Sequence, residues 1–342
     1  MRVLTPLFLI FLIPSHLLFF STLVFGVLMA VSSSSWFTAW IGLELNLLSF
    51  IPLISSETNQ FSSEARLKYF LTQALASAII LLASSAIVAD VLFSPYLLST
   101  ALLIKIGAAP FHIWFPMVAE GLGWLQFIVL STIQKIAPIS LISYTLDKTH
   151  WFILIVISTS AIVGALGGIN QLMLRKLISY SSIGHTAWML AALLIRESLW
   201  TIYFGIYCLT SSTIALFFFY KQGYHINHLI PRGFQNNAQT CVMFMSLLSL
   251  GGLPPFTGFL PKWITIQELS ISTYSFIAFF LILGTLINLY YYLRLTLGSF
   301  ILSSSILGWQ FINETVPGPS VALIIFLNLV GLLLSPTVYI LY

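Results

Sequence analysis

The sequence predicts an all-α, polytopic membrane protein with about 11 transmembrane helices. Three observations predict this class: 59% of the residues are hydrophobic, 6% are charged, and the mean hydropathy is +1.02. A soluble domain averages about 25% charged residues, so this composition favours lipid as the surroundings of the chain. The net charge of +4 is not arranged as a basic stripe with interleaved aromatic residues, so no nucleic-acid partner is expected.

Hydropathy divides the chain into successive apolar segments, each long enough for a bilayer core that needs about 20 residues. In order, the predicted spans are approximately 7–31, 36–55, 65–89, 95–118, 122–146, 151–170, 177–195, 198–220, 238–266, 272–293 and 319–341. The longest polar stretches, 220–240 and 303–320, have the length of ordinary loops. No soluble domain is therefore expected.

The basic residues outside these spans predict the orientation of the chain. If the N-terminus is inside, Lys148 and Arg196 lie on the outer side. The basic residues that then lie on the inner side are Arg2, Arg66, Lys68, Arg175, Lys176, Lys221, Arg232 and Arg294. Inner loops carry an excess of Lys and Arg, so we expect the N-terminus inside and the C-terminus outside.

Several kinds of site and signal are not expected in this chain. The first span begins close to Met1, with neither a small-residue cleavage site nor an Arg-rich amphipathic presequence. Cys208 lies within a span and Cys241 near the start of another, so both are expected to be packing residues and not part of a disulfide framework. Two cysteines are also too few for an iron–sulfur cluster, which usually takes four. No Gly-rich phosphate loop follows a strand pattern. Any redox chemistry is therefore expected in other chains.

An internal repeat predicts the arrangement of the spans. Residues 107–116 and 252–261 share the pattern G-x-x-P-F-x-x-x-x-P, once in the fourth span and once in the ninth. Because the two copies are five spans apart in order, an odd number, they cross the membrane in opposite directions. This favours two inverted five-helix repeats, as in many transporters. The predicted parts are 1–146 (helices 1–5), 147–302 (helices 6–10), and 303–342, a loop with C-terminal helix 11.

The prolines of the repeat predict a broken helix in each half. Pro110 cannot donate a hydrogen bond to the Ile106 carbonyl, and Pro254 and Pro255 likewise free the carbonyls of Leu250 and Gly251. Freed backbone groups inside a bilayer are tolerated where protein or a wet cavity satisfies them. The alternative interpretation is that these prolines are packing kinks.

Four ionisable residues lie inside otherwise apolar spans: Glu44, Lys105, Lys135 and Lys262. Such residues are expensive in a membrane, so the default hypothesis is a path for ions or protons. Lys105 directly precedes the first predicted break, where the C-terminal carbonyls of a half-helix favour a cation. The alternative is a structural salt bridge between Glu44 and one of the lysines.

The histidines leave more than one interpretation open. His185, in the middle of the seventh span, and His112, after the first break, are each either a proton relay or a hydrogen-bonded packing residue. His225 and His228 share a loop with no nearby cysteine or carboxylate. No metal site is therefore expected there.

Several of these segments together are typical of a known family. They are residues 40–46 (WIGLELN), 68–73 (KYFLTQ), 105–114 (KIGAAPFHIW), 134–138 (QKIAP), 174–185 (LRKLISYSSIGH) and 251–263 (GGLPPFTGFLPKW). With these motifs the chain resembles the subunit 2 family of NADH:ubiquinone oxidoreductase, respiratory complex I, which belongs to the antiporter-like membrane subunits. The resemblance runs from the first span to at least Arg294 and weakens beyond it. Bacterial members have additional spans before the point that matches the start of this chain, whereas animal mitochondrial members do not.

The resemblance implies roles, partners and a location. It implies Glu44 and Lys105 as a coupled ion pair, Lys135 as the central relay and Lys262 as the terminal lysine of the second half-channel. It implies that no cofactor binds in this chain, with FMN, iron–sulfur clusters and ubiquinone in other subunits. Expected partners are other complex I membrane subunits, including antiporter-like neighbours, and a lipid such as cardiolipin. The expected location is the mitochondrial inner membrane, with the N-terminus in the matrix and the C-terminus in the intermembrane space.

The predicted function is proton translocation, as a subunit of an H⁺-translocating NADH:ubiquinone reductase whose electron transfer occurs in other chains. Two alternatives remain at this stage. An autonomous cation/proton antiporter would share the inverted repeat and the lysines. A non-pumping membrane scaffold would need the buried charges for packing alone.

Overall fold

The computed structural model describes residues 14–55, 60–226, 237–254 and 256–303. Within these ranges the chain is helical apart from short connections and one isolated bridge between Met173 and His225. Eight of the described helical segments are long and apolar enough to cross a membrane. The all-α membrane class is therefore confirmed. The predicted span 319–341 lies outside the described residues.

The chain divides into two compact units, one ending at Ile155 and the other beginning at Val156. The helices that begin in the first unit are α1 (Pro14–Val31), α2 (Trp36–Ile54), α3 (Gln60–Val88), α4 (Ser94–Ile106), α5 (Trp114–Gly121), α6 (Trp124–Ser131), α7 (Ile133–Ser143) and α8 (Leu146–Gly168). Those of the second unit are α9 (Leu174–Ile195), α10 (Glu197–Lys221), α11 (Asn237–Gly251), α12 (Phe259–Ile271) and α13 (Ser275–Ser303). The repeat boundary after residue 146 stays a prediction.

Small residues bring α1 and α2 of the first unit into backbone contact. A Cβ at Gly42 would lie 2.6 Å from the Ala30 nitrogen and 2.8 Å from the Gly26 oxygen. Close approach at small residues is how membrane helices gain packing energy, because lipid tails offer no hydrophobic driving force. This contact places the Glu44 segment of α2 against α1.

Small residues also bring helices of the second unit into backbone contact. A Cβ at Gly164 of α8 would lie 2.6 Å from the nitrogen of Gly184 in α9, and one at Gly284 of α13 would lie 2.9 Å from the Ala161 oxygen. Helix α9 is the most enclosed of these elements, since its residues from Ser181 to Leu193 are all buried. The predicted relay candidate His185 lies in that buried stretch.

Both predicted helix breaks are present. The fourth predicted span consists of α4 and α5, with residues 107–113 between them, and the ninth consists of α11 and α12 on either side of residues 252–258. The Ala109–Pro110 peptide bond is cis. The kink interpretation is therefore wrong for these positions, because in each case the helix ends and a new one begins. Pro255 lies outside the described residues.

One interruption was not predicted from the sequence. The fifth predicted span is divided into α6 and α7 at Thr132, whose φ and ψ are −114° and −80°. The Thr132 hydroxyl donates to the Ile128 carbonyl at 2.6 Å, beside the Thr132 N–H, which donates to the same carbonyl at 3.0 Å. Lys135 therefore lies in the first turn of a new helix instead of the middle of a continuous one.

Candidate functional site

The first break ends α4 with a left-handed glycine. Gly107 has φ +76°, and its N–H donates to the carbonyls of Leu103 and Ile104 at 3.0 and 3.1 Å. The Ala108 N–H donates to the Leu103 carbonyl at 3.2 Å, which completes a Schellman-type cap. The indole nitrogen of Trp114 also donates to Ile104, at 2.9 Å. Lys105 is thereby placed in the last turn of α4.

The second break has the same cap at the equivalent positions of the repeat. Gly252 has φ +78°, and its N–H donates to the carbonyls of Leu248 and Ser249 at 2.9 and 3.0 Å. The Leu253 N–H donates to the Leu248 carbonyl at 3.2 Å. The shared sequence pattern therefore produces one local geometry twice, because glycine adopts a positive φ without steric cost.

Lys262 lies just after the second break and reaches back to it. Its side chain is 6% exposed, and its ammonium donates to the Gly251 carbonyl at 2.7 Å and to the Leu250 carbonyl at 3.4 Å. These are the two carbonyls that the prolines of this segment were predicted to free. An ammonium at the C-terminal end of α11 also complements the helix dipole. Lys262 therefore satisfies the break that precedes it.

Lys105 is buried at the first break, with 7% of its surface exposed. Glu44, the partner that the sequence predicts for it, lies on α2. Among the described residues no ion pair within 4 Å joins these two side chains. A direct salt bridge of Glu44 with Lys105, considered from the sequence, is therefore absent from the described structure.

Glu44 is half-buried, and its Oε2 atom is fully buried without a hydrogen-bond partner in the described structure. A buried carboxylate oxygen without a donor is costly. One Glu44 carboxylate oxygen therefore has unused hydrogen-bonding capacity in the described structure.

Lys135 is the most deeply buried of the three lysines, at 2% exposure. Its ammonium lies 4.9 Å from the centroid of the Phe115 ring, which belongs to α5. Phe115 in turn packs against the first break, because a Cβ at Gly107 would lie 3.1 Å from the Phe115 Cβ. The first break, Phe115 and Lys135 therefore form one continuous cluster in the first unit.

A buried polar chain beside Lys135 was not assigned a role from the sequence. The hydroxyl of Tyr69 donates to Gln134 Oε1 at 3.3 Å, and Gln134 Nε2 donates to Asn46 Oδ1 at 2.9 Å. Tyr69 and Asn46 are 2% and 3% exposed. All three residues belong to the motifs that carry the family resemblance. The signal that could have identified them is the presence of polar side chains in otherwise apolar spans. These hydrogen bonds join α3, α7 and α2. In the sequence, Asn46 is two residues from Glu44 and Gln134 is adjacent to Lys135.

The two histidine candidates lie in different surroundings. The Nδ1 atom of His185 lies 2.9 Å from the Tyr203 hydroxyl, and its ring centroid is 5.1 Å from that of Tyr207. His112 lies in the connection between α4 and α5, is partly exposed, and has Nδ1 3.3 Å from the Pro110 carbonyl. Neither contact separates a relay from a packing role, so both roles stay predictions.

Comparison with known proteins relates the chain to one family. A family model described as NADH:quinone oxidoreductase/Mrp antiporter, TM, matches residues 33–90 and 88–288. The protein "NADH-ubiquinone oxidoreductase chain 2" of Anopheles gambiae is 43% identical over 337 residues, which cover 95% of this chain and 98% of the relative. Its counterpart in Papio hamadryas is 38% identical over 344 residues, with 95% and 98% covered.

Solved structures share the fold at lower identity. A chain of respiratory complex I from Thermus thermophilus aligns with a TM-score of 0.78 and 23% identity, covering 94% of this chain and 79% of that one. A chain of the Mrp complex from Dietzia sp. aligns with a TM-score of 0.80 and 17% identity, covering 94% and 74%. At these identities the likeness establishes the fold alone.

Proposed function

The chain belongs to the NADH:quinone oxidoreductase/Mrp antiporter transmembrane family, and from this premise we propose that it is a proton-translocating membrane subunit of complex I. The resemblance to the subunit 2 family is confirmed by relatives named NADH-ubiquinone oxidoreductase chain 2. As such a subunit, the chain takes part in H⁺-translocating NADH:ubiquinone reduction, and the redox steps occur in other subunits.

The observation that carries this proposal is the burial of three lysines within apolar helical segments. Lys105, Lys135 and Lys262 are 7%, 2% and 6% exposed, and each lies close to the end of a helix at a break or an interruption. Ionisable groups at such positions are costly, and they are typical of proton and ion pathways. A scaffold would lose nothing if apolar residues of similar size stood there.

Each unit then contributes part of the path. In the first unit, Glu44 and Lys105 are the coupled pair, although no direct ion pair joins them in the described structure, and Lys135 is the relay lysine, whose ammonium lies over the Phe115 ring. In the second unit, Lys262 is the terminal lysine and His185 a further relay candidate. His112 is the corresponding candidate at the first break. Electron transfer in other subunits supplies the driving energy.

The orientation and the repeat are part of the same proposal. The excess of Lys and Arg in one set of loops supports a matrix-facing N-terminus and a C-terminus in the intermembrane space. The equal caps at Gly107 and Gly252 support two inverted five-helix repeats with one broken helix each, followed by an eleventh, C-terminal helix. Metazoan mitochondrial relatives support the inner membrane as the location.

The proposed partners are the other membrane subunits of the complex, antiporter-like neighbours among them, and a lipid such as cardiolipin. The multi-subunit complexes from which the two structural neighbours come support a role within an assembly. FMN, iron–sulfur clusters and ubiquinone belong to other subunits in this proposal, and we propose no cofactor in this chain.

Co-purification tests the proposal most directly. An affinity tag on this chain should recover an NADH-oxidising assembly from detergent-solubilised inner membranes, and the reconstituted assembly should acidify vesicles when NADH and a quinone are supplied. Recovery of the chain by itself, with cation/proton exchange after reconstitution, would instead establish an autonomous antiporter. If the assembly still pumps normally after Met replaces Lys105, Lys135 and Lys262, the chain has the role of a scaffold instead.

A further inference from the structure

Gly252 lies directly against the side chain of Lys262, and this contact is separate from the role of Gly252 in the cap of α11. A Cβ built on Gly252 would lie 2.7 Å from the Lys262 Cδ, 2.8 Å from its Nζ and 3.0 Å from its Cε. Real Cβ atoms essentially never approach other heavy atoms so closely. The outer half of the lysine side chain therefore fills the volume that a side chain at position 252 would need.

The same lysine atoms make the contacts that satisfy the break. Nζ donates to Gly251 and Leu250, the last two residues of α11, at 2.7 and 3.4 Å. We propose that Gly252 is a positioning residue for Lys262: by lacking a side chain, it admits the lysine to these carbonyls and so sets where its ammonium lies. This inference rests on the proposed function, in which Lys262 is the terminal lysine of the path.

The first break shows that the glycine cap by itself does not bring a lysine to this position. Gly107 has nearly the same φ, +76° against +78°, and the same pattern of capping hydrogen bonds. The atoms nearest to a Cβ at Gly107 belong to the aromatic residues Phe115 and Trp114, at 3.1 Å and beyond. A substitution at Gly107 therefore imposes the same backbone strain without meeting a lysine.

A methyl group at position 252 should displace the lysine and leave the helix end in place. The clashing atoms lie at the far end of a flexible side chain, which moves at lower cost than backbone. The cap itself uses the Gly252 N–H, which donates to Leu248 and Ser249 and is retained in alanine. Gly252→Ala should therefore separate the Lys262 ammonium from the carbonyls of Leu250 and Gly251, which are then left without that donor.

A double-mutant cycle in the purified, assembled complex tests this inference. The four complexes carry the unchanged chain, Gly252→Ala, Lys262→Ala and both changes, and each is measured for its thermal midpoint and for NADH-driven proton translocation. In the Lys262→Ala background the methyl group enters vacated space, so we expect Gly252→Ala to lower the midpoint about twice as much when Lys262 is present. With Lys262 present, Gly252→Ala should also reduce proton translocation.

Two controls separate positioning from backbone strain. In the cycle of Gly107→Ala with Lys262→Ala, the two changes in midpoint should be additive. The backbone cost of alanine at Gly107 matches that at Gly252, but no lysine lies against position 107. Gly205→Ala, whose Cβ would have no atom within 4 Å, lies inside α10, so it should raise the midpoint slightly and by the same amount in both backgrounds, and it should leave translocation unchanged. Equal midpoint losses from Gly252→Ala in both backgrounds would overturn the inference.

The remaining outcomes are also decisive. If Gly252→Ala prevents assembly, Lys262→Ala must restore it, and failure to restore assembly would contradict the inference. If the Lys262→Ala complex pumps normally, the proposed role of Lys262 in the path fails, whereas the positioning of Lys262 by Gly252 is still decided by the thermal cycle.

Discussion

The ammonium nitrogen of Lys135 lies 4.9 Å from the centroid of the Phe115 ring, and both side chains are almost completely buried. A cation over an aromatic face in a desolvated site gains about 2 kcal/mol or more. Phe115 also packs on Gly107 at the end of α4. The central lysine of the first unit is therefore held against the half-helix that follows the break.

Phe115→Leu should weaken the hold on Lys135. Leucine keeps the position apolar, but it removes the aromatic face, so we expect a loss of roughly 1 to 3 kcal/mol in stability together with slower proton translocation. Phe127→Leu is the matched control, because Phe127 is equally buried and its ring contact is with Trp124. The thermal midpoint and the NADH-driven pumping rate are measured for both. Equal losses of pumping in the two variants would assign Phe115 a packing role.

Lys135→Met tests the relay role. Methionine keeps an unbranched apolar chain and removes the cost of burying a charge, so the assembled complex should be as stable or more stable. A relay must bind and release a proton, so NADH oxidation and proton translocation should both fall by about tenfold or more. The exposed Lys148→Met is the control and should keep full activity. Full activity of assembled Lys135→Met would return this residue to a structural role.

Glu44→Gln removes the charge that we propose to be coupled to Lys105, while it retains the shape of the side chain. Assembly should persist, because the Oε2 atom takes part in no hydrogen bond within the described structure that the change would break. Proton translocation should decrease although the complex still assembles. Glu64→Gln is the comparison, since its pair with Lys68 is exposed and such pairs contribute about 0–1 kcal/mol. Normal NADH oxidation and proton yield in assembled Glu44→Gln would exclude the coupling.

Tyr69→Phe tests the polar chain that joins Tyr69, Gln134 and Asn46. The ring would still pack against Phe50 and Trp114, so the change isolates the hydroxyl and its hydrogen bond, which contributes about 0.5–1.5 kcal/mol. We expect a modest loss of thermal stability and a larger, several-fold loss of pumping. Tyr96→Phe, in an exposed tyrosine of the same unit, should change neither. A stability loss without any change in pumping would assign the hydrogen bonds among Tyr69, Gln134 and Asn46 a structural role.

The orientation can be read from chemical labelling. A cysteine introduced at Lys176 should react with a membrane-impermeant thiol reagent from the matrix side, and one at Lys148 from the intermembrane side, because of the asymmetry in basic loops. Intact mitoplasts and inverted inner-membrane vesicles carrying the assembled complex provide the two sides. Labelling of position 176 in intact mitoplasts would reverse the proposed orientation.

Much of the architecture was predictable because its causes are local in sequence. Apolar segments long enough for a bilayer predicted the membrane helices, and the prolines at 110 and 254 predicted the breaks that end α4 and α11. The interruption at Thr132 was missed, because hydropathy is continuous over residues 124–143 and neither proline nor glycine stands between residues 128 and 135. The contact between Phe115 and Lys135 was missed as well.

By itself, the sequence determined which residues are costly to bury and where proline interrupts two helices, because burial preference and proline geometry belong to each residue and its neighbours. The tertiary structure decided what those residues meet. Tyr69 and Gln134 are 65 positions apart, and Asn46 and Gln134 are 88 apart, yet each pair is hydrogen-bonded. Lys262 returns to the carbonyls freed at its own break because Gly252 leaves room for it. Such partners depend on how helices pack, and close packing is a property of the assembled fold.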